Sequence, residues 1–285
     1  MQFLGGIVTR KRTIFSENEK KTIVDMYVNQ KLSTVKIGKI FDCHYSKIIK
    51  VLEEYKIPRV GNGHRKYKLN ETYFDIIDTP NKAYILGFLY ADGNVNPSKQ
   101  TISMSLQEED FEILERIRKE IGSEKELEHL DYSNKHDFGY TYKNQYRLLM
   151  FSRHMCDSLI RIGMIPNKSL KLTFPDIKKD LYRHFIRGYF DGDGSVYQSI
   201  KNENNKPIIL TITSTKQFCE KLKEIVEHEV DIYCGIYDAS NKNGITKVFS
   251  LSKNASLKFM NWMYTDADLY MQRKYDRYIK YSSAA

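Results

Sequence analysis

No apolar run in these 285 residues approaches the roughly 18 positions that a membrane span requires. Cysteine is scarce and scattered: Cys43, Cys156, Cys219 and Cys234 form no CxxC pair and no metal-ligand spacing. That pattern reads as reduced, mostly buried thiols of an intracellular protein. The N-terminal MQFLGGIVTRKR places its charges after a short apolar patch, the reverse of a secretion signal. A Walker A loop, an HExxH pair and a GxSxG elbow are all missing, so phosphate-cradle, zincin and serine-hydrolase chemistry have no support.

What is present argues for a folded chain, with 41% hydrophobic and 13% aromatic residues. The length suffices for a sizeable core and more than one domain. The net charge of +9 is unevenly placed. Residues 1–68 hold 15 Lys/Arg against 6 Asp/Glu, a difference of +9, so the rest of the chain is neutral. An excess confined to one end points to a polyanion, and nucleic acid is the first candidate.

Three short helices are expected within residues 14–57. Ser16 with Glu19 three positions on forms a capping box, ahead of the apolar Ile23, Met26 and Tyr27. Ser33 caps a second segment containing Val35, Ile37 and Ile40. After Asp42-Cys43-His44 a third carries Ile48, Val51, Leu52 and Tyr55 at helical spacing. The tight second-to-third connection and basic third helix suggest a helix-turn-helix module. Its DNA contacts would be Tyr45, Ser46, Lys47 and Lys50, followed by Arg59, Arg65, Lys66 and Lys68 in a basic linker over 58–70.

From residue 71 the chain repeats itself. ILGFLYADGNV (85–95) returns as IRGYFDGDGSV (186–196). TISMSLQEEDFEILERI (from 101) returns as LTITSTKQFCEKLKEI (from 210), and the stretch from Tyr146 returns from Lys247. Each half reads helix, strand pair, helix, strand pair, helix, with boundaries at 71–175 and 176–285. Asp92 and Asp193 lie 193 − 92 = 101 positions apart, the length of one small domain. Gly87 and Ala91 are four apart, as are Gly188 and Gly192. Small residues at that spacing share a helix face and let two backbones approach closely. Two crossing helices would bring Asp92 and Asp193 side by side at their negative ends. Such carboxylates repel unless hard divalent cations sit between them, and paired metals suit in-line displacement at phosphorus.

The two motifs, ILGFLYADG and IRGYFDGDG, resemble the signatures of the LAGLIDADG homing endonuclease family in its single-chain form. The resemblance covers residues 71 to about 280. It implies an α+β fold: two pseudo-symmetric αββαββα halves whose sheets form a saddle over double-stranded DNA. It also implies a monomer acting on a long, imperfectly palindromic target, with Mg²⁺ as cofactor in two or three sites and Mn²⁺ or Ca²⁺ able to replace it for binding. By that resemblance Asp92 and Asp193 are catalytic metal ligands joined by Ala91 and Gly192, and Lys168 and Lys274 stand near the attacking water. The implied setting is cytoplasmic, in a prokaryotic or phage-infected host, or in an organelle. The polar residue that often follows the second strand is not evident, since Leu106-Gln107-Glu108 and Ser214-Thr215-Lys216 leave its register open. The alternative is a nucleic-acid binder of the same fold without cleavage, a splicing maturase or a transcription regulator. An intein-borne nuclease is disfavoured, because the chain lacks a Cys or Ser start and a His-Asn end.

Overall fold

The computed structural model describes residues 14–59, 67–133, 136–137, 140–166, 168–198, 207–239, 246–252 and 254–283. They fall into two compact units that divide between residues 66 and 67.

The first unit contains α1 (Glu17–Val28), α2 (Thr34–Ile40) and α3 (Tyr45–Glu54). Ser16 and Glu19 cap α1 reciprocally, and the Ser33 and His44 side chains accept from the opening turns of α2 and α3. Ile23, Tyr27, Ile37, Ile48, Val51 and Leu52 close around one another. Only Ile37 of the expected α2 stripe enters this core. Val35 and Ile40 point outward, 49% and 57% exposed, because the short helix turns only Ile37 and Gly38 inward.

The second unit opens with residues that the sequence suggested were linker. Lys68 donates its backbone N–H to Glu124 Oε2 (3.2 Å), and the Glu124 N–H returns a bond to the Lys68 carbonyl (2.9 Å). The first half then runs α4 (Pro80–Asp92), β1 (Gly93–Asn96), β2 (Thr101–Gln107), α5 (Phe111–Glu120), β3 (Glu128–Leu130), β4 (Gln145–Phe151) and α6 (Arg153–Ile162). The second runs α7 (Tyr182–Asp193), β5 (Gly194–Gln198), β6 (Ile208–Thr215), α8 (Lys216–Val230), β7 (Gly235–Asp238), β8 (Thr246–Ser252) and α9 (Asn254–Tyr264), with α10 (Gln272–Ser282) added. A short hairpin pairs His136–Asp137 with Tyr140–Thr141. Both sheets are antiparallel and share one order, β1-β2-β4-β3 and β5-β6-β8-β7. This is the expected pair of pseudo-symmetric halves in an α+β fold.

Thr79 and Pro80 start α4, and every residue from Ala83 to Tyr90 is buried. A helix that is apolar around its whole circumference belongs at the centre of a core, and α7, buried from His184 to Asp191, is its partner. The amphipathic α5, α6 and α8 cover the outer side, with Ile113, Leu114 and Ile117 of α5 facing inward.

The ladders correct the repeat by one residue. Gly93 faces Met104 and Gly194 faces Ile212, so Thr101 corresponds to Ile209 rather than Leu210. A slip of one would exchange the two faces of the sheet. By the same register Leu106 corresponds to Ser214 and Gln107 to Thr215.

Candidate active site

At the centre α4 and α7 touch backbone to backbone. A Cβ on Gly87 would stand 2.0 Å from the Phe185 carbonyl oxygen, and one on Gly188 would stand 1.9 Å from that of Tyr84. The two contacts are the same contact seen from each half, since 84 and 185, like 87 and 188, lie 101 positions apart. That reciprocity is what a two-fold interface requires. Further along, a Cβ on Gly192 would lie 2.3 Å from the Cβ of Ala91 and 3.0 Å from Asp92 Oδ2. The seam therefore has room for one methyl group at this level, and Ala91 supplies it.

The close crossing delivers Asp92 and Asp193 to adjoining helix ends. Each is the last residue of its helix, followed by an extended glycine, Gly93 or Gly194. Both residues keep an open side to solvent, yet their carboxyl groups are closely surrounded by protein at the helix ends. Desolvation pushes the Asp92 carboxyl up to about 6, aided by the charge of Asp193 and opposed by Lys274 and Lys168. Desolvation also raises Asp193, while the two lysines and a hydrogen bond from Tyr189 act against it.

The two lysines occupy equivalent places with unequal surroundings. Lys168 donates to the Gly93 carbonyl at 2.5 Å and lines a pocket of about 330 Å³ with Asp193, Tyr90, Tyr189 and Ser214. Lys274 is 2% exposed. Its Nζ reaches the carbonyls of Phe190 (2.5 Å), Asp191 (2.7 Å), Gly194 (2.7 Å) and Gly192 (3.3 Å). Each ammonium thus sits at the negative end of a helix, where a cation is favourable. Burial lowers both, Lys274 to about 8.

Asp191, the other aspartate of the second motif, stands apart from this pair. It is wholly buried and accepts from the Tyr84 hydroxyl (2.9 Å), the Tyr264 hydroxyl (2.6 Å) and the Met271 N–H (2.8 Å). It thereby ties α7 to the start of α10, which carries Lys274. Arg187, one turn earlier and also wholly buried, donates to the Leu269 and Met263 carbonyls (both 2.9 Å) and to His184 Nδ1 (3.0 Å). Burial and the Arg187 charge hold the His184 pKa down at about 4, so its ring stays neutral and accepts. The spacing of Arg187 and Asp191 on one helix face was the available signal for this network. Tyr189, whose hydroxyl lies 3.0 Å from Ser214 Oγ, was hidden because this neighbour lies 25 positions away.

Among the expected DNA contacts, Tyr45, Ser46 and Lys50 lie exposed at the start and outer side of α3, and Lys47 is half-buried. Arg59 is exposed. Arg65 and Lys66 lie outside the described residues. Lys68 is exposed and its ammonium rests 3.3 Å from Glu124.

Among the described residues no group of three or more His, Cys, Asp or Glu converges as a metal cage. The oxygen donors at the helix ends are instead two carboxylates and backbone carbonyls. That donor chemistry, with mutual repulsion raising Asp92, fits a hard divalent cation. Among the same residues no helix is long and apolar enough to cross a membrane.

Residues 180–260 match the family described as LAGLIDADG-like domain. The chain thus carries a LAGLIDADG-like domain in its second half, and its first half repeats the same strand order. No curated protein matches the chain. Among solved structures, the LAGLIDADG meganuclease I-AabMI bound to uncleaved DNA is similar at 12% identity and a TM-score of 0.47, over 73% of this chain and 91% of that one. The homing endonuclease I-WcaI bound to its DNA recognition sequence is similar at 15% identity and 0.47, over 66% and 81%. Full-length DUF199/WhiA from Thermatoga maritima is similar at 16% identity and 0.43. Residues covering 75% of this chain span 65% of WhiA, less than two thirds of its length.

Proposed function

We propose that this chain is a site-specific DNA endonuclease that hydrolyses both strands of a long, imperfectly palindromic target with Mg²⁺. The observation that carries the reading is the meeting of Asp92 and Asp193 at two touching helix ends, each end held by a lysine. Ionised Asp92 and Asp193 would hold the cation, with backbone oxygens of Ala91 and Gly192 completing its donors. Bound there, such a cation stabilises the attacking and leaving oxygens of an in-line displacement. Lys168, open to the pocket, offsets negative charge growing on the phosphoryl group, while sealed Lys274 acts on it only through its field. The hydroxyls of Tyr189 and Ser214 can hold a water against Asp193. Leu106 offers no such group in the first half. Both halves lie in one chain, so a monomer is sufficient. The three-helix unit, basic overall, would add contacts through α3 and the residues after it, with the nuclease halves dividing near residue 175.

A second reading, a binder of the same fold without cleavage, draws on one observation: the Gly192 carbonyl already accepts from Lys274. Incubating the protein with Mg²⁺ and DNA that carries the uninterrupted sequence flanking its gene separates the two. Double-strand cleavage, lost in Asp92→Asn and Asp193→Asn, is the expected result. Stable binding with no cleavage in Mg²⁺ or Mn²⁺ would favour the binder.

A further inference from the structure

The two sheets turn unlike chemistry away from their helices. On the first, Ile102, Met104, Leu148 and Met150 face the core, so their alternate neighbours form the outer face. That face carries four amides and an arginine, Asn94, Asn96, Gln107, Gln145 and Arg147, with the apolar Leu149 and Phe151 confined to the end where they pair with Ser103 and Thr101. Gln107 stands opposite Gln145, and Arg147 stands between Ser105 and Glu128. Glu128 Oε2 accepts from Arg147 Nε at 2.8 Å and fixes the direction of the guanidinium. On the second, Leu210, Ile212, Phe249 and Leu251 face the core. The face turned away shows Thr213 beside Val248 and Val248 beside Tyr237, with Tyr197 beside Ile209 in a parallel row. Tyr197 and Tyr237 are 46% and 62% exposed. No charged group and no amide lies on the described strands of this second face.

Major-groove edges distinguish these two sets. Amides pair with the N6–H₂ and N7 of adenine, arginine pairs with O6 and N7 of guanine, and threonine methyl or other apolar groups meet the 5-methyl of thymine. We infer that the halves read their half-sites by different chemistry: the first sheet selects purine hydrogen-bonding edges, and the second selects thymine methyl groups. This rests on the DNA-binding reading above. It makes the preferred target asymmetric in chemistry although the protein is pseudo-symmetric in backbone.

The full chain is tested in metal-free buffer, so that nothing is cut, by selecting bound sequences from a randomised duplex pool. The selected site is then resynthesised with 7-deazaadenine for adenine, or uracil for thymine, in one half at a time. Removing an N7 acceptor should weaken binding about tenfold per amide-read adenine, in one half only. Removing a 5-methyl group should weaken it about fourfold per buried methyl, in the other half only. Gln145→Ala should reduce the first sensitivity alone, and Val248→Ala the second alone, which assigns each half to its sheet. Equal sensitivity of both halves to both analogues overturns the inference while leaving DNA binding intact. A pool from which no sequence is enriched overturns the DNA reading itself, and this inference with it.

Discussion

Gly188 lies so close to Tyr84 that a Cβ on it would stand 1.9 Å from the Tyr84 carbonyl oxygen. Backbone cannot retreat from backbone as a side chain can, so the crossing of α4 and α7 depends on that missing methyl. Gly188→Ala is expected to destabilise the second unit by about 3 kcal/mol or more, at the upper end for overpacking. Urea unfolding measures it, and an unchanged midpoint would mean that the helices do not cross there.

Gly192 offers a graded version of the same test. Its Cβ would meet the Cβ of Ala91 at 2.3 Å, so Gly192→Ala alone should destabilise. Gly192→Ala combined with Ala91→Gly moves the single methyl across the seam and should recover most of the loss. A double variant no better than the single one would reject this account of the seam.

The lysines should separate stability from activity. Lys274→Met leaves four carbonyls without their buried donor, and a loss of about 3 kcal/mol or more is expected at about 1–3 kcal/mol for a buried unsatisfied group. Lys168→Met removes one bond at the rim of an open pocket and should cost about 1 kcal/mol. Cleavage measured at saturating DNA should nevertheless fall strongly in the Lys168 variant. Equal midpoints for the two variants would contradict the difference in their surroundings.

The Asp92 carboxyl, raised to about 6 in the folded protein, binds protons more tightly there than in the unfolded chain. Its contribution to stability is therefore most favourable at acid pH and declines as pH rises from about 4 through 6. A divalent cation requires the ionised form, so its stabilising effect follows the opposite course. Added Ca²⁺ should raise Tm more at pH 7.5 than at pH 5, and Asp92→Asn should remove most of that difference. A Ca²⁺ shift independent of pH would argue against the carboxylate pair as the binding group.

Removing residues 1–66 deletes 14 basic and 6 acidic residues, a net +8, while leaving the second unit whole. The truncated protein should fold, cut at high concentration and bind DNA more weakly. The slope of log affinity against log salt should flatten by about 0.9 for each phosphate no longer neutralised. An unchanged slope and footprint would show that α1 to α3 do not touch DNA.

Several features were legible in the sequence because they depend on local or periodic causes. The Ser16 capping box, the Ser33 cap and the repeat across 101 positions need only near neighbours and a count. So does the facing of Gly87/Ala91 toward Gly188/Gly192, since small residues four apart share one helix face. What only the tertiary structure decided was which aspartate of FDGDG does what. Asp191 and Asp193 are identical in type and two apart, yet a helix turns them in different directions. One meets Tyr84, Tyr264 and Met271 from three distant segments, and the other stays open beside Asp92. The strand register was likewise undecided, because a shift of one residue leaves alternation intact while exchanging the faces; only the ladder pairing Gly194 with Ile212 set Ser214 beside the site and Leu106 in its place across the axis. The inequality of Lys168 and Lys274 had no sequence signal, since the carbonyls that enclose Lys274 belong to a helix end 80 to 84 positions earlier.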